Sequence, residues 1–234
     1  FFDVGQADSI LVMNEEQTML IDAGNNDDGE MLVQNLKTLG IDKIDYLIGT
    51  HPHEDHIGGL DDIIKNFEIG TIYMPKVQTN TKTFEDVLDA ISKKDLKVTT
   101  PKVKDTFQVG QAECQVLAVD NKAKNLNLAS IVIQMKFDDM TYLFTGDSEK
   151  EVEEKILKEN KDIKANILKV GHHGSDTSSS ERFIQAVMPE MSIISVGKDN
   201  LYGHPNQDII TRLEEKGSKI YRTDEVGNIF IEQK

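Results

Sequence analysis

Five clusters of histidine and aspartate follow strand-like apolar runs, directly or after a short loop: Asp22, His51–His56, Asp147, His172-His173 and His204. Strands that alternate with helices in an α/β sheet run parallel and present their carboxyl ends along one edge, where such folds bind ligands. A chain that repeats this arrangement is confined to architectures in which those strand ends converge on a shared site.

The apolar periodicity fills in the elements. Strands are expected at Phe2–Val4, Ser9–Met13, Thr18–Ile21, Ile44–Ile48 and Ile69–Met74, and helices at Glu30–Leu39, Gly59–Asn66 and Thr83–Lys93. The second half opens with strands at Thr106–Val109, Glu113–Ala118, Ser130–Phe137 and Met140–Phe144. It then alternates: helices at Glu149–Glu159, Ser180–Val187 and Asp208–Lys216, and strands at Asn166–Val170, Ser192–Val196, Ser218–Tyr221 and Asn228–Ile231. Each half is a strand-rich stretch followed by strand–helix alternation. The expected class is α/β: a four-layer αββα sandwich of two mixed β-sheets flanked by helices. No linker, low-complexity tract or fixed repeat divides the 234 residues, so one domain over 1–234 is expected.

The segment Thr50-His-Pro-His-Glu-Asp-His-Ile-Gly-Gly59 holds three of the six histidines. Neutral imidazole and carboxylate are ordinary ligands of zinc and related divalent ions. In an extended loop alternate residues point the same way, so His51 and His53 can chelate one ion, while Asp55 and His56, past the turn, reach a second. Asp147 has two oxygens and can bridge both. Pro52 stiffens the loop, and Gly58-Gly59 is expected to let the backbone turn tightly into the following helix.

Net charge is −15, which weighs against a duplex-binding module, because phosphate contacts want a basic surface. Bound cations would offset part of that charge locally. Lysines at 93, 94, 97, 102, 104, 122 and 124 read as a solvated face. Cys114 has no possible disulfide partner in the chain and reads as a buried thiol. No apolar run approaches the roughly 20 residues that span a bilayer. Phe1–Val4 looks like the interior of a strand without a start Met, which implies residues upstream, a signal or membrane anchor among the options. Compartment is left open between extracytoplasmic and cytoplasmic.

His51-Pro-His-Glu-Asp-His56, with Leu20-Ile-Asp-Ala-Gly24 before it and Phe144-Thr-Gly-Asp147 after it, resembles the metallo-β-lactamase superfamily. Phe2-Asp-Val-Gly-Gln-Ala-Asp-Ser9, Lys169-Val-Gly-His-His-Gly-Ser175 and Tyr202-Gly-His-Pro205 resemble one branch of it. That branch contains the hydrolase domain of the DNA-uptake channel protein ComEC, secreted hydrolases and phosphorylcholine esterases. The resemblance covers nearly the whole chain and does not specify a substrate.

It implies a hydrolase in which two divalent ions, Zn²⁺ first and Mn²⁺ or Fe²⁺ as alternatives, activate a water. The implied ligands are His51, His53, Asp55, His56, Asp147 and one of the 172–173 pair. His172 is favoured because it directly follows Gly171, which leaves His173 for substrate or proton transfer; the reverse stays open. Asp55 would also orient the water, and His173 and His204 would stabilise charge or protonate the leaving group. Asp8, Asp22, Asn127, Ser130 and Ser175 are expected to support the ligands or face substrate. Many superfamily members place a further His between the first motif and the bridging Asp; this chain has Asn127 and Ser130 there, as the ComEC-like branch does. Ala7 replaces the usual Gly. The missing His favours a phosphodiester over a β-lactam, with single-stranded nucleic acid or a small phosphodiester as the expected substrate. A choline ester would call for an aromatic cage, and the chain offers no Trp and only Tyr73 and Tyr202 near the motifs. A non-catalytic metal-binding or sensory module and a phosphorylcholine-esterase-like hydrolase are the competing readings, and a redox or sulfur-chemistry relative the least favoured.

Overall fold

The computed structural model describes residues 1–159 and 162–233. In chain order the strands and helices are β1 (Ile10–Asn14), β2 (Gln17–Ile21), α1 (Gly29–Thr38), β3 (Lys43–Ile48), α2 (Glu54–Ile57), α3 (Leu60–Asn66), β4 (Glu68–Tyr73), α4 (Lys82–Lys93) and β5 (Val98–Thr99). They continue as β6 (Thr106–Val109), β7 (Ala112–Ala118), β8 (Val132–Phe137), β9 (Met140–Phe144), α5 (Lys150–Glu159), β10 (Ile167–Lys169), α6 (Glu181–Val187), β11 (Met191–Ile194), α7 (Gln207–Glu215), β12 (Lys219–Arg222) and α8 (Thr223–Val226).

The strands form two mixed sheets, β1-β2-β3-β4-β5 and β12-β11-β10-β9-β8-β7-β6. In the first, β2, β3, β4 and β5 are parallel and β1 is antiparallel. In the second, β9 to β12 are parallel, and β6, β7, β8 and β9 form an antiparallel meander.

Side-chain alternation sorts the core into layers. On β2, Leu20 packs outward with Leu32 and Leu36 of α1, whereas Met19 and Ile21 face inward. On β10, Leu168 packs outward with Phe183 and Ile184 of α6, and Ile167 faces inward. The middle layer joins Ile10, Met19, Ile21 and Ile48 of one sheet to Val116, Ile133, Phe144 and Ile193 of the other. These three apolar layers between two sheets and their outer helices are the αββα sandwich expected from the pattern. Cys114 is buried in the middle layer, where burial pushes its thiol up to about 12.

Several elements differ from expectation. Phe2–Val4 and Asn228–Ile231 are not strands. Phe1 and Ile229 exchange backbone bonds of 2.9 Å in both directions, and Phe2 N–H donates to Ser9 O, but isolated bonds of this kind make no ladder. The two-residue β5 and the short helices α2 and α8 carry too few residues to show a period. Ala7 is fully buried and has no positive φ, so its methyl group is accommodated.

Candidate metal centre

Parallel pairing of β2 with β3, and of β9, β10 and β11, brings their carboxyl ends to one side. The segments leaving those ends carry Asp22, His51–His56, Asp147, His172-His173 and His204. The His51 loop bends at His51-Pro52, is extended at His53 (φ −80, ψ 151) and then enters the helical turn α2. His53 therefore sits on extended backbone after a bend at His51-Pro52, and Asp55 and His56 sit on a helix.

Gly58 and Gly59 act differently from expectation. Their φ values are −55 and −87, which any residue adopts. What they supply is close approach: a Cβ on Gly58 would lie 2.2 Å from the Asn25 carbonyl carbon, and one on Gly59 would lie 2.5 Å from Ala23 O. Gly58 N–H donates to Gly24 O and Ala23 N–H to His56 O, so the Asp22 turn and the histidine loop are clamped together.

Asp55, His56, Asp147 and His173 offer ligand atoms all within 4.8 Å of one another. His56 Nε2 is 3.3 Å from Asp147 Oδ1 and 3.9 Å from Asp55 Oδ2. His173 Nε2 is 3.4 Å from Asp55 Oδ2 and 3.7 Å from Asp147 Oδ2. Beside this group His51 Nε2 and His53 Nδ1 meet at 3.0 Å, with Asp147 Oδ2 4.0 Å from the former. Asp147 thus lies between the two pairs of imidazoles.

The hydrogen bonds fix which ring nitrogens are free. His56 Nδ1–H donates to Asp22 Oδ2 at 2.8 Å, and His173 Nδ1–H donates to Ser195 O at 2.9 Å. Carboxylate and carbonyl oxygens only accept, so in the neutral form of each ring the Nε2 lone pair faces the group. Thr50 Oγ1–H is committed to Asp22 Oδ2 at 2.8 Å and so can accept from His51 Nδ1–H, 3.2 Å away. That leaves His51 Nε2 without a proton, as the acceptor facing His53 Nδ1 at 3.0 Å. His56 Nε2, His173 Nε2 and Asp147 Oδ1 are buried and have no hydrogen-bond partner among the described residues. Once the two rings are neutral, these three unpartnered atoms beside carboxylates form a donor set that fits a divalent cation.

The charge pattern agrees. Burial pulls the His56 and His173 imidazoles down, but Asp147 with Asp22 and Asp55 outweighs burial at His56, and Asp147 with Asp8 and Asp55 does so at His173. Both end above the usual histidine value. Burial raises the Asp55 and Asp147 carboxyls, yet His56 and His173 hold both below the ordinary range. His51, buried and beside His56, is held well below its usual value and stays neutral. Protons on His56 and His173 occupy the place of the positive charge that the carboxylates demand.

Asp8, Asp22 and His56 form a second close group. Lys169, fully buried at the end of β10, ion-pairs with Asp8 and donates to Gly146 O at 3.3 Å. With Lys169 on Asp8 and His56 Nδ1 committed to Asp22, this group is a charge-balanced support beneath the first. Sequence reading missed Lys169, although a lysine inside the apolar run Ile167-Leu-Lys-Val170 was a visible signal. It missed Thr50 and Gln6 too.

The remaining expected residues are placed as follows. Ser130 Oγ accepts from Asp147 N–H at 3.1 Å. Asn127 donates to Glu149 Oε1 at 3.0 Å and keeps a buried, unpartnered Oδ1. Ser175 Oγ pairs with Thr177 Oγ1 at 3.1 Å, bracing the histidine turn without reaching the group. Of the two histidines between which the sequence leaves the ligand open, with His172 favoured, the close group contains His173. His172 lies outside the tight group, with Nδ1 2.9 Å from Thr177 Oγ1 and Nε2 3.7 Å from Asp147 Oδ2. Both residues have left-handed φ, 49 and 53, and the Ser195 carbonyl from the β11 side turns only His173 inward.

An open cavity of about 310 Å³ lies over the group, bordered by Gln6, His53, Asn127, His172, Tyr202 and His204. Gln6 Oε1 accepts from Gly197 N–H, so its amide Nε2 is the end that faces His204 Nδ1 at 3.4 Å. His204 then carries its proton on Nε2. Burial, with His172 and His173 nearby, keeps His204 below the usual histidine value, and burial does the same to His172. A larger groove of about 510 Å³ at the β1 edge, bordered by Phe1, Met13, Phe137 and Phe230, is lined by no His or Asp among the described residues.

Comparison with known proteins places this centre in a family. The Metallo-beta-lactamase superfamily profile matches residues 2–198. ComE operon protein 3 of Bacillus subtilis (strain 168) is 35% identical over 97% of this chain and 32% of its own length. Competence protein ComA of Neisseria gonorrhoeae is 29% identical over 97% of this chain and 31% of its own. The chain therefore spans about a third of these relatives. Among solved structures, the metallo-beta-lactamase fold protein YhfI of Bacillus subtilis aligns over 94% of both chains, with a TM-score of 0.62 and 12% identity. CmlA, a diiron beta-hydroxylase from Streptomyces venezuelae, aligns over 94% of this chain and 51% of its own, with a TM-score of 0.61 and 16% identity. At those identities the structures bear on the fold alone, and they share it. The ComEC-type resemblance read from the motifs agrees with the competence-protein relatives, and the chain belongs to the metallo-β-lactamase superfamily.

Proposed function

We propose that this chain is a divalent-metal-dependent phosphodiesterase that cuts single-stranded nucleic acid. The observation that carries the hydrolytic part is the convergence of three unpartnered buried atoms, His56 Nε2, His173 Nε2 and Asp147 Oδ1, beside an open cavity that Asp147 and His173 line. Asp55, His56, Asp147 and His173 would hold one ion, and His51, His53 and Asp147 a second. Ions bound there supply a water of lowered pKa and neutralise the charge of a phosphodiester.

The chain's own residues do the rest. Asp22, Ser195 O and Thr50 orient His56, His173 and His51 through their Nδ1 atoms, so that the ligands are set before anything binds. Asp55, half-buried at the cavity floor, can accept a hydrogen bond from the attacking water. His204, neutral and protonated on Nε2, donates to a phosphoryl or leaving oxygen. It fits a hydrogen-bond donor better than a strong acid, given its lowered pKa. His172 stands at the same rim. The nucleic-acid part rests on the competence-protein relatives and on the motifs of Phe2–Ser9, Lys169–Ser175 and Tyr202–Pro205.

The test is hydrolysis of bis-p-nitrophenyl phosphate and of a single-stranded oligonucleotide, each with Mn²⁺ and Zn²⁺. The wild type is expected to turn over both, and Asp147→Asn to lose at least about 100-fold on both while keeping its circular dichroism. Activity unaffected by Asp147→Asn would reject the bridging role. Inactivity on every phosphodiester would leave a metal-binding module as the function.

A further inference from the structure

We propose that Tyr202 is the base-stacking residue of this site and determines its preference for unpaired, base-bearing strands. The inference rests on the phosphodiesterase reading and names the residue that recognises the substrate. Tyr202 is 73% exposed and the neighbouring Leu201 is fully exposed, although both border or adjoin the cavity over the metal centre. One ring face of Tyr202 is covered: it stacks on His204 with centroids 5.7 Å apart and planes 24° from parallel. His204 in turn meets His172 edge-on at 5.8 Å, and His172 meets His173 at 6.3 Å. A continuous file of rings therefore runs from the metal ligands to Tyr202, whose outer face is open.

The loop holds this ring out by design of its hydrogen bonds. Asn200 Oδ1 accepts from Tyr202 N–H and His204 N–H, both at 3.1 Å, and Asn200 Nδ2 donates to Gly197 O and His204 O. Exposing a large ring on a braced loop forgoes burial, so the ring is arranged for something that covers it. A nucleobase suits it: every base has a π-face, and stacking is sequence-tolerant. A base can reach a protein ring only after leaving its own stack, which selects single strands. The net charge of −15 gives a duplex little long-range attraction. A quaternary ammonium fits less well, because it needs several rings around it. Tyr73 packs against Tyr46 and Phe107 in the middle layer, leaving Tyr202 as the only tyrosine, phenylalanine or tryptophan at this cavity among the described residues.

The experiment compares wild type, Tyr202→Ala and Tyr202→Phe, loaded with Mn²⁺. Substrates are oligothymidylate, a strand of equal length with abasic sites, the corresponding duplex and p-nitrophenyl phosphorylcholine. Tyr202→Ala is expected to lower kcat/KM on oligothymidylate by about 10- to 100-fold, chiefly through KM, and to lose far less on the abasic strand. Tyr202→Phe keeps cleavage within about threefold, because the ring and not the hydroxyl stacks. The chain has no Trp and five Tyr, so tyrosine emission gives a second readout. Oligothymidylate should quench it in wild type and less in Tyr202→Phe. Equal losses on base-bearing and abasic strands would show a structural role and overturn the proposal, as would cleavage of duplex at the single-strand rate or faster turnover of the phosphorylcholine ester. If wild type cuts oligothymidylate and Tyr202→Ala does so equally well, stacking fails and the nuclease reading stands. If wild type hydrolyses no phosphodiester, both fail.

Discussion

Lys169 and Asp8 form a buried pair beside the His56 and His173 side chains. Lys169 is fully buried, and Asp8 Oδ2 and Oδ1 lie 3.7 Å from His56 Nδ1 and His173 Nδ1. Removing one partner of a buried pair leaves the other uncompensated, at a cost of about 3–5 kcal/mol. Lys169→Met is therefore expected to lower the urea midpoint of the metal-free protein sharply, and Lys169→Met with Asp8→Asn to recover most of the loss. An unchanged midpoint for the single variant would reject the pair. His56 and His173 carry the pH dependence. Their values in the folded, metal-free protein are raised above the ordinary 6.5. Their contribution to stability is thus complete below about pH 6.5 and is lost as pH rises through the raised values. Metal binding requires the neutral ring, so ions displace these protons. Calorimetric titration at pH 7 in buffers of different ionisation enthalpy should show net proton release, and affinity should tighten with pH. No proton release would mean that these imidazoles are not ligands.

Among the elements, the loop-and-turn pieces decide the site, and they are the ones a sequence periodicity leaves blank. The long runs were legible: α4 and the β8–β9 hairpin fall where the pattern puts them. The four-residue α2 was not, because one turn has no period, yet it sets the direction of Asp55 and His56. Gly58 shows the same limit. A sequence shows a glycine after a metal loop; only the fold shows the Asn25 backbone lying where its side chain would be. Gly58→Ala should force the two loops apart, costing about 1–3 kcal/mol by denaturant and weakening metal binding in the same variant. Wild-type stability with wild-type metal affinity would count against this packing role.

At the scale of the molecule, the two sheets meet at the site: Asp22 and His51–His56 leave one sheet, and Asp147, His173 and His204 leave the other. An ion held by both should tie the sheets together. At 100-fold above its Kd a ligand adds about 2.7 kcal/mol, or about 5–10 °C in Tm for a chain of this size. Zn²⁺ or Mn²⁺ is expected to raise Tm by that amount, with close to two ions per chain by elemental analysis, EDTA to reverse it and Asp147→Asn to abolish it. No shift would mean that the ligands do not bridge the sheets. The sequence by itself determined the αββα class, the donor types and the strand ends that carry them, because periodicity and residue chemistry are local properties. Only the tertiary structure decided which of two adjacent histidines joins the group. That choice depends on Ser195 O, 22 residues away along the chain, which orients His173 and leaves His172 at the rim beneath His204 and Tyr202.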